Sequence, residues 1–232
     1  MKIKFLTLFL TLFFLALFFI SKGVAQSPKK AFKSLSSHEK YWVYFHPFTA
    51  KKAYQVSKDV EKVVDSIAKT KTLGPLKVGN QIDAFKHAFW MWSLAEKIGW
   101  RAASSLGEAH EKGNYDFYLQ HINEDGELPD KASSDMDAHN NSVGIALYKK
   151  YKKQKTSKSE KIEKVIAAVL QGKTKMILQN KSGNYLDING NIIPKKDYYG
   201  IWSNARILTP TKALHLMIDN PSKSLNLSQT KK

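Results

Sequence analysis

In NQIDAFKHAFW, Asp83 and His87 stand four residues apart, so on a helix they share a face one turn apart. A carboxylate there holds the imidazole tautomer and raises its basicity, or backs a histidine that ligates a metal. The same pair also suits a capping acid bonded to a histidine at the edge of a core. GEAHE supplies Glu108, His110 and Glu111. His110 and Glu111 are neighbours that diverge by about 100° on a regular helix, so one of them is expected to face solvent. SSDMDAHNNSVG supplies Asp137, His139, Asn140 and Asn141, poor helix formers placed where an apolar helix begins.

Helical spacing puts Met136, Asn140, Val143 and Leu147 on one stripe, and Asp137, Asn141, Gly144 and Tyr148 on the next. Asn140 is therefore expected on the apolar side, where an amide without partners costs about 1–3 kcal/mol. Gly144 costs about 1 kcal/mol within a helix, unless a neighbouring backbone needs the room. His139 lies about 100° from Asn140 and about 200° from Asp137, so it need not join them. Three helices that each carry Asp, His or Asn at an apolar seam point to one shared polar site.

The chain has no cysteine, which excludes thiol nucleophiles, disulfides and thiolate metal sites. It also has no G-x-S-x-G elbow, H-E-x-x-H, P-loop or G-x-G-x-x-G. The residue types that remain suit hydrolysis by a positioned water. On one route a divalent metal ion held by His87, His110 or His139 with Asp83 or Asp137, with His87, His110 and Asp137 as the leading candidates, lowers the pKa of that water. On the other a His–Asp pair is the general base and Asn140 donates to an oxyanion. The candidate catalytic residues are His87, His110, Asp137, His139 and Asn140, supported by Asn80, Asp83, Glu111 and Asn141. A rival reading is a non-catalytic module in which these side chains form a buried network fixing helix register. Such a module would bind an envelope component or a partner protein.

NQIDAFKHAFW, GEAHE and MDAHNNSVG, in this order, resemble the signature of a family of functionally uncharacterised bacterial domains. Many members of that family are exported or attached to larger secreted proteins. The family pattern is Asn-x-x-Asp-Ala-x-[Arg/Lys]-His-Ala-x-Trp, then Ala-His-Glu, then Met-Asp-x-His-Asn-Asn-x-x-Gly. It falls here on Asn80, Asp83, Ala84, Lys86, His87, Ala88 and Trp90, then Ala109, His110 and Glu111, then Met136, Asp137, His139, Asn140, Asn141 and Gly144. The resemblance covers about residues 78 to 150. It implies that the motifs build one constellation and leaves the chemistry to the residues themselves.

Mostly helical elements must position these groups. Thr49 can cap a helix in which Ala53, Val56, Val60, Val63 and Ile67 recur at helical spacing. Residues 80 to 98 are apolar nearly all round, the mark of a central helix, and Asn80 can cap it. The next helix is expected to end near Gly113, and YDFYLQHINEDGELPDKAS to be loop. Ser134 or Asp135 is a candidate cap for the helix of the third motif, and Gly172 closes a last helix. The tail changes period: KMILQN and YLDINGNIIP, with turns at Ser182-Gly183-Asn184 and Asn189-Gly190, predict a hairpin or meander. The expected fold is mainly α, a single helical-bundle domain over residues 38–220 with a small C-terminal β-hairpin or meander at about 174–210. A flexible basic leader over 26–37 and a flexible tail over 221–232 are expected to flank it.

With 232 residues, 43% hydrophobic and 12% aromatic, the chain can bury a real core. Lys2 and Lys4, an apolar run from Phe5 to Ile20, and Gly23, Val24 and Ala25 read as an export signal over 1–25. An uncleaved membrane anchor is the alternative, although its run is short for a span of about 20 residues. The formal charge is +17; three lysines and no acids precede Gln26, so the remainder carries +14. That balance favours anionic partners, an envelope component or phospholipid, through the stretch Lys149 to Lys164. No helix-turn-helix spacing or RNA-binding signature predicts sequence-specific nucleic-acid binding.

Overall fold

The computed structural model describes residues 28–74, 76–124 and 126–212. The expected export signal over 1–25 and the expected flexible tail over 221–232 lie outside them. The chain divides into two units, Met1–Leu35 and Ser36–Lys232. The first holds α1 (Pro28–Ser34), which falls within the expected leader. Everything that bears on the site belongs to the second.

There, α2 (Ser37–Phe45) begins under a capping box: Ser36 Oγ accepts from the Glu39 backbone, and the Glu39 carboxylate accepts from the Ser36 backbone. His46 ends α2 and opens α3 (Pro47–Thr70). Pro47, not Thr49, sets the start of α3, since its missing N–H costs nothing in a first turn. Thr49 instead donates its hydroxyl to the His46 carbonyl. The inner stripe of α3 is Ala53, Val60, Val63, Val64 and Ile67, at the spacing the sequence predicts.

The central helix is α4 (Gln81–Ile98), where Phe85, Ala88, Phe89, Met91, Trp92, Leu94 and Ala95 are all buried. It packs against α3, α5 (Trp100–Leu119), α6 (Lys131–Tyr151) and α7 (Lys158–Leu170). Its approach to α6 is close enough to require Gly144: a Cβ there would lie 2.2 Å from the carbonyl oxygen of Ala88.

Two further helix boundaries differ from expectation. α5 runs on to Leu119 because Gly113 is a contact and not a stop; a Cβ on it would meet Ser36 Oγ at 2.2 Å. α6 begins at Lys131 because Asp130 and Ser133 form a reciprocal cap, which leaves Ser134 inside the helix.

β1 (Lys175–Ile177) pairs antiparallel with β2 (Leu208–Pro210), with Lys175 opposite Pro210 and Ile177 opposite Leu208. The predicted turns are present, with Gly183 and Gly190 both at φ +83°. They close only isolated bridges, Gln179 to Tyr185 and Leu186 to Ile192. The fold is mainly α with a small antiparallel pair. That pair lies on α6 and α4, and Met136, Ile177, Tyr185 and Ile193 form a small core there.

Candidate functional site

Asn80 caps α4 through its Oδ1, 2.7 Å from the Gln81 N–H. Asp83, in the first turn, accepts from the Gly79 N–H at 2.8 Å with Oδ2. That bond fixes the carboxylate and turns Oδ1 inward, 2.9 Å from Lys86 Nζ. One turn further on, His87 Nε2 lies 3.6 Å from Asp83 Oδ1 and 3.2 Å from Asp137 Oδ1 on α6. All three side chains are buried. Their facing donor atoms lie within 4.8 Å of one another.

The opposite edge of the ring settles what faces this point. Asn141, one turn beyond Asp137, donates through Nδ2 to Glu111 Oε1 at 3.2 Å. With its amide nitrogen on Glu111, Asn141 turns its oxygen to His87 Nδ1, 3.3 Å away. Nδ1 is then the donor. In the neutral ring, Nε2 presents a lone pair to two carboxylate oxygens. Asp83 Oδ1 and Asp137 Oδ1 are buried and receive no hydrogen bond of ordinary geometry. Lys86 already brings a positive charge to 2.9 Å from Asp83 Oδ1, and a proton on Asp137 or a metal ion at the shared point would relieve the remaining repulsion between the facing electron pairs. Donors at about 2.0–2.2 Å from one ion are spaced about 3–3.5 Å apart, close to the 3.2 and 3.6 Å found here.

Burial and neighbouring acids oppose ionisation of the carboxyls here. Burial pushes the Asp137 carboxyl well above its usual range; Asp83 and Glu111 add to the rise and Lys86 opposes it. Burial likewise pushes Glu111 up to about 7, against the pull of His110 and with Glu124 adding to the rise. Glu111 also accepts from Asn114 Nδ2 at 3.2 Å.

His110 has a different role from the one expected. Its Nδ1 lies 3.1 Å from Glu39 Oε1 and its Nε2 3.2 Å from Glu124 Oε1. Burial alone would lower its pKa, but Glu124, Glu39 and Glu111 outweigh burial and raise it to about 10. It is an imidazolium clamped between carboxylates, with no lone pair left for a metal. Of the expected ligands, His87, Asp83 and Asp137 converge, and His110 and His139 do not. The His110 ring stands 6.3 Å from that of His87. One of His110 and Glu111 was expected to face solvent; both turn inward, His110 toward Glu39 and Glu124, Glu111 toward Asn114 and Asn141.

His139 and Asn140 do not join the constellation. His139 Nε2 lies 3.0 Å from the Lys173 carbonyl. Asn140, fully buried, donates to the Lys175 carbonyl at 3.0 Å and accepts from the Lys175 N–H at 2.8 Å. With its amide nitrogen and its oxygen both turned to Lys175 of β1, Asn140 positions the strand and does not face the Asp83–His87–Asp137 point.

Asp83, His87 and Asp137 line a pocket of about 50 Å³, enough for an ion and a few waters. Lys86, His110, Glu124 and Arg206 are also on its wall. Arg206 is held in place by Asp130, with its Nε 2.6 Å from Oδ2, and stacks over Tyr185 at 4.6 Å. The sequence reading missed Glu39, Glu124 and Arg206. Ser36 and Glu39 carry the S-x-x-E signature of a capping box, but nothing in it shows that the second oxygen reaches His110. Glu124 and Arg206 come from irregular segments without periodicity.

A family model described as a domain of unknown function (DUF6973) matches residues 40–174. Comparison with curated proteins and with solved structures gives no match.

Proposed function

The chain belongs to the DUF6973 family of domains of unknown function, and we propose that this member is a hydrolase dependent on a divalent metal ion held by Asp83, His87 and Asp137. The observation that carries the proposal is the convergence of Asp83 Oδ1, His87 Nε2 and Asp137 Oδ1 on one point of the pocket. Two carboxylates and an imidazole with open positions suit a borderline or hard divalent ion.

When bound, the ion supplies a water acidic enough to deprotonate near neutral pH. The chain's own residues do the rest. Gly79 and Asn141 fix the orientations of Asp83 and His87. His110 and Lys86 offset part of the carboxylate charge on the wall, so that a bound divalent ion would be the group that draws an anionic substrate such as a phosphodiester. Export, expected from residues 1–25, would bring such an enzyme to anionic envelope components. The lysines from Lys149 to Lys164 support that partner class, although Lys149 already sits 3.8 Å over the Trp100 ring and Lys161 pairs with Glu96.

A second reading has support of its own. Asn140 and His110 are fully partnered within the protein, as a network that fixes helix register requires. Calorimetric titration with Zn²⁺ and Mn²⁺ separates the two. The metal reading expects one ion per chain, lost in His87→Ala and Asp137→Asn, and metal-stimulated cleavage of bis(p-nitrophenyl) phosphate. Binding no tighter than about 1 mM for both ions would leave the structural network.

A further inference from the structure

Tyr41, Tyr44 and Phe45 lie at helical spacing on the outer face of α2, and Phe48 follows in the first turn of α3. They are 67%, 71%, 71% and 79% exposed, the largest exposures among the big apolar side chains described. Nothing in α2 prevents their being polar, because its inner face is served by Trp42, which donates to Ser105 and stacks on His46. Four adjacent aromatics at a helix corner are a contiguous apolar surface of the kind that marks an interaction site.

We propose that this corner docks on the surface of a lipid bilayer bearing anionic headgroups. Charge selects that occupant. Lys51 and Lys52 are exposed and Lys40 is partly so, and no acid occurs between Lys40 and Lys58. Glu39, the nearest acid before them, is turned inward onto His110. Tyrosine and phenylalanine beside lysine match the headgroup zone, where rings sit at the boundary and ammonium groups meet phosphates. No helix among the described residues is long and apolar enough to cross a membrane, so the contact made by this corner is peripheral. Docking requires no metal and stands or falls apart from the hydrolase reading.

The chain lacks cysteine, so one engineered thiol reports one position in the full-length protein. Phe48→Cys carrying an environment-sensitive nitrobenzoxadiazole label is titrated with phosphatidylcholine vesicles, with and without phosphatidylglycerol. The expected result is a blue shift and a several-fold gain in brightness with the anionic vesicles. Asp65→Cys, about 25 Å further along α3, is expected to show neither. The site-specific label reads this corner whatever other segment meets the vesicle. Adding Lys51→Glu and Lys52→Glu should weaken the response at least about tenfold. An unmoved label at residue 48, or an equal response at residue 65, overturns the proposal. So does a shift that appears with protein concentration in the absence of vesicles, which would assign the corner to a second copy of the chain.

Discussion

Asn141 turns its carbonyl oxygen to His87 Nδ1 at 3.3 Å and its amide to Glu111 at 3.2 Å, and so leaves Nε2 to face Asp83 and Asp137. Replacing the amide removes the orienting partner without touching a ligand. Asn141→Ala is expected to lower metal affinity about 10–100-fold while the fold persists. Calorimetry against Zn²⁺ checks this; unchanged affinity would mean that the tautomer is set elsewhere.

Asp137→Asn should stabilise the metal-free protein. The folded-state pKa of Asp137 lies above its unfolded value, so ionisation penalises the folded state as pH rises from about 4 toward the folded pKa. The amide carries no such penalty, and the variant should be more stable than wild type at pH 7. Thermal melts with chelator, and then with Zn²⁺, give the signature: a higher melting temperature than wild type without metal, and no further rise with it.

His110 predicts a pH dependence of opposite origin. Its pKa is raised from 6.5 to about 10. Its contribution is therefore complete below about pH 6.5 and is lost as pH rises through about 10. The melting temperature of His110→Gln should lie several degrees below wild type at pH 7, and the gap should narrow by pH 10. A gap independent of pH would show that the imidazolium is not the stabilising form.

Gly144→Ala reverses the usual sign of its substitution. In an exposed helix alanine would gain about 1 kcal/mol, but here the methyl would meet the Ala88 carbonyl at 2.2 Å. Separating α4 from α6 should cost about 1–3 kcal/mol. It should also weaken metal binding, since Asp83 and His87 sit on one of those helices and Asp137 on the other. Denaturant unfolding and calorimetry read the two effects independently.

The helices and the seam were legible because apolar side chains recur with the helix period, and because Asp83, His87, Asp137 and Asn141 interrupt that period at matching offsets. Gly144 was legible as a close approach for the same reason. The pairing of His110 was not, because Glu39 and Glu124 reach it from elements far apart in sequence. Periodicity placed Asn140 on the buried side and could not say that a strand lay opposite. The partner of β1 was missed because Leu208–Pro210 is a three-residue strand with no alternation to detect.

Asn140 does more than fill a buried position. β1 has β2 along one side; on the other, the Lys175 N–H and C=O are taken by the Asn140 side chain, and the Ile177 N–H by the carbonyl of Gly79 at 2.7 Å. One carboxamide and one loop carbonyl thus stand where a third strand would be. A sheet this small would otherwise present a bare ladder, the kind of border along which separate chains zip together. Here that border is shut by a side chain of the chain's own, and a leucine at residue 140 would reopen it.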